Sequence, residues 1–154
     1  MYCTRSLSLR RDRRPPPVRS AADALEVVAL AMSRPPRPET IGFALDDDGR
    51  GDMVMIVDGT TRPEAVVDMV ELLADSAVAG GGSGLVVASV RPVPPSATDL
   101  AGITDADIDR WLDASHVAAD RGVELLEWFV VGPGGITCPR EMFGEPPRWP
   151  WSPG

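Results

Sequence analysis

The sequence predicts one three-layer α/β domain with a mixed sheet flanked by helices. The chain has 154 residues, of which 44% are apolar, so it can bury a single core of ordinary domain size. Helical and strand-like patterns follow one another in the order helix, hairpin, helix, strand, helix, strand, short strand. The strand, helix and strand over residues 85–131 predict a parallel crossover, whereas the hairpin is antiparallel, so the sheet is mixed.

A first helix is predicted over residues 21–33. Ser20 followed by Asp23 resembles a capping box at its beginning. Apolar residues then recur at helical spacing until the run Arg34-Pro35-Pro36, which ends the pattern because proline cannot continue a helix.

An antiparallel hairpin follows, formed by the apolar runs Thr40 to Leu45 and Met53 to Val57. Between them lies the acidic segment 46–51, whose Asp-Gly pair is a strong hairpin signal. A calcium loop would need acidic ligands where Ala44 and Met55 stand, so we interpret the segment as a turn.

A second helix is predicted from Pro63 toward Val78, because proline fits a first helical position and an apolar stripe follows it. The glycine-rich segment 80–84 comes after this helix and before the buried-strand pattern of residues 85–88. A dinucleotide-binding turn needs the opposite order, strand before helix, so the glycines are interpreted as a connection.

The third helix begins at another capping box, Thr104 with Asp107, and ends at Gly122. Val123 to Val131 reads as a long strand. After a Gly-Pro-Gly-Gly turn, Ile136 to Cys138 can return as a short hairpin partner.

Charge and composition separate two terminal segments from the domain at residues 20–143. Residues 1–20 hold six Arg against one Asp, and residues 21–154 hold nine Arg against 22 acids. We expect residues 1–19 to be a disordered basic leader. The acidic body repels phosphates, so the folded domain is not expected to bind nucleic acid, whereas the leader could bind it weakly. Residues 144–154 form a Pro/Trp-rich tail, in which Trp149 and Trp151 either fold back on the domain or anchor a partner.

Several classes of protein are excluded by residues that are missing. The sequence has no Lys, which P-loop enzymes, pyridoxal enzymes and protein kinases require. With His116, Cys3 and Cys138 as its entire His and Cys content, a self-contained structural zinc site is not expected. Without an apolar run of membrane-spanning length or a signal-peptide pattern, we expect a soluble cytoplasmic protein.

Four motifs follow one another over about residues 20–141: PETIGFALDDDGR, VDGTTRPEAVVDMVELL, SVRPVPPSATDL and GVELLEWFVVGPGGITCPRE. In this order they resemble the motifs of the RadC-like JAB/MPN domain, the JAMM type of metallohydrolase. The resemblance implies a JAB/MPN-like, cytidine-deaminase-like three-layer fold.

The resemblance also places the family's site on this sequence. Glu39 matches the acid/base glutamate, and Ser96 and Asp99 match the family's Ser and Asp, which makes these three the vestigial catalytic candidates. Ser89 and Arg91 occupy the two metal-binding His positions, so the zinc ligands are missing and no cofactor is expected. The loop between the His and Ser positions is about three residues shorter than in the family.

Arg91 suggests a replacement for the metal. A guanidinium at this place could bridge the carboxylates of Glu39 and Asp99, and we hypothesise a salt-bridge plug of these three residues. The alternative is that Arg91 extends into solvent.

The function implied by these observations is a non-catalytic, metal-free protein-interaction or structural module with an unidentified protein partner. Two alternatives stay open. One is a residual metal-dependent hydrolase of the JAMM type that obtains zinc ligands unconventionally. The other is a DNA-repair-associated protein tethered through its basic leader. The missing ligands argue against an enzyme.

Overall fold

The described residues of the computed structural model form one mixed sheet with helices on both faces. These residues are 3–8, 17–51, 53–93 and 103–149, with residues 3–8 and Met53 described by their backbone only. The strands are β1 (Cys3–Ser8), β2 (Glu39–Leu45), β3 (Met53–Asp58), β4 (Gly84–Val90), β5 (Glu124–Gly132) and β6 (Gly135–Thr137). The helices are α1 (Ala21–Ala31), α2 (Pro63–Gly80), α3 (Asp105–Asp120) and α4 (Pro139–Met142).

Within this part of the chain the strand order is β1-β3-β2-β4-β5-β6. The β4 and β5 strands are parallel, and the other neighbouring pairs are antiparallel. The predicted α/β class, the mixed sheet and the parallel crossover are therefore confirmed. The predicted hairpin corresponds to β2 and β3, whose turn closes with Gly49 at φ 77°, a conformation that favours glycine.

One face of the sheet is covered by α2 and α3. The predicted apolar stripe of α2 is buried here, and Trp111 of α3 packs into the same cluster with no exposed surface. The capping box at Thr104 is present in full: the Thr104 side chain accepts from the Asp107 N–H, and the Asp107 carboxylate accepts from the Thr104 N–H. We call this side the α2/α3 face.

The opposite face carries α1, which begins at Ser20, where the hydroxyl accepts from the Asp23 N–H as predicted. Its buried residues Ala24 and Val28 join a second apolar cluster with Ile41 and Phe43 of β2. We call this side the α1 face. Along β2 and β4, successive side chains alternate between the two faces, which fixes the sides on which Glu39 and Ser89 lie. In β5 the register to β4 shifts and skips Leu126, so the alternation is interrupted before Glu127.

The connection between α2 and β4 is built on glycine, as predicted. Gly81 ends α2 in the left-handed conformation at φ 80°, and the N–H of Gly82 returns to the carbonyl of Ala77. Glycine also allows the closest approach of helix to sheet. A Cβ at Gly42 would lie 2.5 Å from Sδ of Met69 and 2.6 Å from Cδ1 of Leu73.

Two parts of the structure correct the expectations for the ends of the domain. Residues 3–8 form β1 and pair with β3, so the predicted disorder of residues 1–19 is wrong for this segment. Val18 is also buried, with its N–H donating to the carbonyl of Gly49. The pairing arises because β3 would otherwise present an open edge, and a strand from elsewhere in the chain closes it.

At the other end, α4 was not predicted. It follows β6 and packs against α3 and β5. Trp149 is only 6% exposed, which confirms for this residue that the tail folds back on the domain, whereas Trp151 lies outside the described residues. No helix in the described part of the chain is both long and apolar enough to cross a membrane.

Candidate functional site

The sheet brings three of the predicted site residues to one end of the molecule. Glu39 begins β2 and pairs in register with Val90 near the end of β4, between Ser89 and Arg91 in sequence. Because side chains alternate along a strand, however, Glu39 and Val90 project to the α1 face, and Ser89 and Arg91 project to the α2/α3 face. The structure therefore places the side chain of Glu39 on the opposite face of the sheet from those of Ser89 and Arg91.

Glu39 is fully buried and bound by the segment that follows α1. Its Oε1 accepts from the Ser33 N–H at 2.8 Å, and its Oε2 accepts from the Ser33 hydroxyl at 2.9 Å. The Nε atom of Arg37 lies 3.9 Å from the same Oε2. Both carboxylate oxygens of Glu39 thus bind the connection between α1 and β2, and the carboxylate stabilises the fold at this point.

Ser89 is also fully buried, and its hydroxyl accepts a hydrogen bond from Nε1 of Trp128 at 3.0 Å. Trp128 lies on the neighbouring strand β5 and has no exposed surface. The Ser89 hydroxyl therefore satisfies the buried indole N–H of Trp128, which would otherwise be costly to bury.

Arg91 forms a bidentate ion pair with Asp107 of α3. Its two terminal nitrogens donate to the two carboxylate oxygens, each at 2.7 Å, and one also donates to the carbonyl of Thr61 at 2.9 Å. Arg91 is 5% exposed, so the alternative of an Arg91 side chain in solvent is wrong. A guanidinium reaches this burial because a carboxylate matches its planar fork.

Among the described residues, the carboxylate bound to Arg91 is that of Asp107, which was not part of the predicted salt-bridge plug. Glu39, on the other face, binds Ser33 instead. Asp99 and Ser96 lie outside the described residues, so the Asp99 arm of the plug stays a prediction. The sequence contained a signal for Asp107 as a capping residue, but its partner 16 positions earlier is set by the crossover from β4 to α3.

A small pocket opens beside this ion pair, where the beginnings of α2 and α3 meet the end of β4. Its volume is about 220 Å³, and the Arg91–Asp107 pair forms part of its wall. The remaining lining residues are Thr61, Arg62, Pro63, Val93 and Thr104. Among the described residues, no group of three or more His, Cys, Asp or Glu side chains is arranged to hold a metal ion.

A second buried ion pair lies at the β5 edge and was not predicted. Nε of Arg140 donates to Oε2 of Glu127 at 2.9 Å, and the N–H of Trp128 donates to Oε1 at 3.2 Å. Arg140 also donates to the carbonyl of Glu145. Burial raises the pKa of Glu127 above its ordinary value, although Arg140 acts in the opposite direction.

Cys138 adjoins this pair and is buried as a free thiol. Burial raises the pKa of Cys138, and the neighbouring carboxylates of Glu127 and Glu141 raise it further. The thiol is therefore protonated at neutral pH and suited to packing, not to nucleophilic chemistry. His116, by contrast, is exposed on α3.

Residues 145–149 cross the outer edge of β5, and we call this segment the strap. The Arg148 guanidinium lies 4.5 Å from the ring centroid of Trp111 and donates to the Ser115 hydroxyl and the Leu125 carbonyl, both at 3.1 Å. Trp149, the next residue, is buried in the cluster of the α1 face. The strap thus packs against both faces of the sheet at the β5 edge, Arg148 on the α2/α3 face and Trp149 on the α1 face.

No protein-family model matches this chain, and a search of curated proteins found no match either.

Proposed function

We propose that this chain is a degenerate RadC-like JAB/MPN domain and that it acts as a non-catalytic, metal-free protein-interaction module. The observation that carries the proposal concerns the three described residues that the resemblance assigns to the family's acid/base and metal-binding positions. Glu39, Ser89 and Arg91 are all buried, and each is bound to groups of the protein itself.

The division between the two faces also supports this function. A general base acts only within hydrogen-bonding reach of the water or substrate proton that it removes. Glu39 is separated from Ser89 and Arg91 by the thickness of the sheet, because its register partner is Val90. A reacting group bound beside Arg91 would not reach the Glu39 carboxylate without rearrangement of β2.

The charge at the His position is a further argument. Zinc ligands must donate an electron pair, which an imidazole or a carboxylate can do and a guanidinium cannot. Arg91 brings a permanent positive charge to this place and uses it to bind Asp107, so a divalent cation there would be repelled as well as unliganded.

The experiment that tests the proposal is a measurement of zinc content together with peptide and isopeptide hydrolysis. The purified chain is incubated with zinc, desalted and analysed by mass spectrometry of metals. We expect neither retained zinc nor hydrolysis. About one zinc per chain, by the stoichiometry of a catalytic site, together with hydrolysis would overturn the proposal.

Two carboxylate variants and one control variant show whether any hydrolysis comes from the family site. If hydrolysis occurs at the family site, Asp99→Asn and Glu39→Gln should both abolish it, whereas His116→Gln should leave it unchanged, because His116 is exposed on α3. Activity that survives in both carboxylate variants would identify a contaminating hydrolase, and the non-catalytic assignment would stand.

A further inference from the structure

We propose that the pocket beside the Arg91–Asp107 pair is a binding site for a small carboxylic acid, whose carboxylate is bound by the Arg62 guanidinium. The class of ligand follows from the size of the pocket, from its net charge and from the apolar part of its wall. The inference goes beyond the proposed function, since such a site needs neither a metal nor a partner protein.

The size of the pocket limits the ligand to a small molecule. Its volume is about 220 Å³, which is several times the space that one buried water requires. It is smaller than the roughly 300–1,000 Å³ of pockets that hold drug-sized ligands. The pocket therefore admits a group of several non-hydrogen atoms and excludes a nucleotide.

The net charge of the wall favours a singly charged anion. The charged residues that line the pocket are Arg62, Arg91 and Asp107, so two guanidinium groups and one carboxylate leave one positive charge. The Asp107 carboxylate is already compensated, because both its oxygens accept from Arg91 and one also accepts from the Thr104 N–H. A carboxylate on the ligand would neutralise the remaining charge, whereas a doubly charged phosphate would exceed it.

The Arg62 side chain supplies this remaining charge. Arg62 is exposed, and in the part of the chain that the structure describes no carboxylate pairs with it. The nearest acid in sequence, Glu64, lies 3.8 Å from Nε of Arg110 instead. A guanidinium at a pocket wall binds a carboxylate through two parallel hydrogen bonds, and this geometry is open at Arg62.

The beginning of α2 adds to the attraction of Arg62 for an anion. Arg62 is the N-cap residue of this 18-residue helix and gives no side-chain hydrogen bond to it, and Pro63, the first helical residue, lines the pocket. The N–H groups of the first turn lack intrahelical acceptors, and the aligned peptide dipoles favour a negative charge in front of them.

The apolar part of the wall indicates what the carboxylate is attached to. Pro63 and Val93 line the pocket, and Val93 is 76% exposed although its side chain is entirely apolar. A short alkyl group on the ligand would cover this side chain and remove apolar surface from water, which favours binding. The ligand is thus a carboxylate with a short apolar body.

The test is an NMR titration of the full ¹⁵N-labelled chain with isovalerate at low salt, with EDTA present to exclude binding through a contaminating metal. We expect saturable shifts of the amide signals from residues 61–66 and 104–108. The uncharged isovaleramide has the same shape and should bind at least about tenfold more weakly, because a hydrogen bond to a charged group is stronger than one to a neutral group.

Three variants assign the binding to the pocket. Arg62→Met should weaken isovalerate binding at least about tenfold. Val93→Asp should also weaken it, because it places a like charge beside the ligand at an exposed position. Arg34→Met is the matched control: Arg34 is exposed and does not line the pocket, so its loss should leave the affinity unchanged.

The absence of saturable isovalerate binding, or equal binding of isovaleramide, would overturn the proposal. Equal weakening by Arg62→Met and Arg34→Met would also overturn it, since the attraction would then come from the charge of the whole chain. Tighter binding of inorganic phosphate than of isovalerate would contradict the assignment to a carboxylic acid.

The source of the carboxylate is distinguished by a second ligand, acetyl-Gly-Val with a free C-terminus. Binding at least about tenfold tighter than that of isovalerate would identify the end of a polypeptide as the ligand, and equal or weaker binding would identify a free acid. Failure of the proposed function is recognised separately, since retained zinc and hydrolysis would refute that proposal without changing the titrations in EDTA.

Discussion

The two buried Arg–carboxylate pairs have the same chemistry but different support. In the Arg91–Asp107 pair, the carboxylate accepts two hydrogen bonds from the guanidinium and one from the Thr104 N–H, at the beginning of α3. In the Arg140–Glu127 pair, the carboxylate lies on a strand and accepts one hydrogen bond from Arg140 and one from the Trp128 N–H, and the Cys138 thiol also hydrogen-bonds to it.

Burial alone therefore does not determine how much an ion pair contributes to the free energy of unfolding. Asp107 lies at a helix N-terminus, where the aligned peptide dipoles favour a negative charge, and its bidentate contact is close to ideal. Glu127 lies on a strand, its contact with Arg140 is through a single nitrogen, and burial raises its pKa. We therefore regard Arg91–Asp107 as a fixed element of the fold and Arg140–Glu127 as the weaker pair.

The largest effect is expected for Asp107→Asn. The amide keeps the shape of the carboxyl group but removes the negative charge that balances Arg91, which is buried and cannot lose its proton. We expect a loss of about 3–5 kcal/mol in the free energy of unfolding. Urea denaturation with an unchanged m value would check it, and a loss as small as that of an exposed ion pair would contradict our ranking of the two pairs.

The matched change at the other pair, Glu127→Gln, should cost less. Here the carboxylate is itself disfavoured by burial, and Arg140 keeps its hydrogen bond to the Glu145 carbonyl. We expect a loss of about 1–2 kcal/mol, measured by the same denaturation. If Glu127→Gln destabilises the protein more than Asp107→Asn, the comparison is reversed and Arg140–Glu127 is the principal pair.

The pH dependence of stability provides a second test of the Arg140–Glu127 pair. The pKa of Glu127 is raised in the folded state, so the folded protein binds this proton more tightly than the unfolded chain does. Its contribution to stability is present below the unfolded pKa of Glu and is lost as pH rises through the folded pKa.

Relative to Glu127→Gln, the wild type should therefore gain stability as pH falls through this window, by about 1.4 kcal/mol per unit of pKa difference between the two states. Denaturation of both proteins at a series of pH values measures the difference. A constant difference would mean that Arg140 offsets the effect of burial on this pKa, and a difference that favours the wild type at higher pH would mean that Arg140 outweighs burial.

The smallest effect is expected for an ion pair near the surface. Arg121 joins α3 to α2 through Glu71 at 2.9 Å and Asp75 at 3.0 Å, and both acids are exposed. Arg121→Met should reduce stability by about 0.2–1 kcal/mol, and high salt should erase most of that loss. A loss comparable to that of Asp107→Asn would show that burial is not what separates these pairs.

Local sequence signals were sufficient for most of the secondary structure. The side-chain caps at Ser20 and Thr104, Pro63 at the beginning of α2 and the glycine after it each act through hydrogen bonds or backbone conformations within a few residues. For this reason α1, α2, α3 and the β2–β3 hairpin could be predicted with nearly correct bounds. The strand β1 was missed, because its partner β3 lies some 50 residues away and the Arg-rich composition of the leader dominated the interpretation.

Local sequence patterns were enough to establish the α/β class and the order of the elements from α1 to β6. Which charges meet, in contrast, depends on the tertiary structure. Asp105, Asp107 and Asp109 all lie in the first turns of α3, and the packing of α3 against the sheet turns Asp107, not its neighbours, toward Arg91. Pairings of this kind depend on the register and rotation of whole elements, which no local pattern encodes, and the same holds for the seat of Arg148 and Trp149 at the β5 edge.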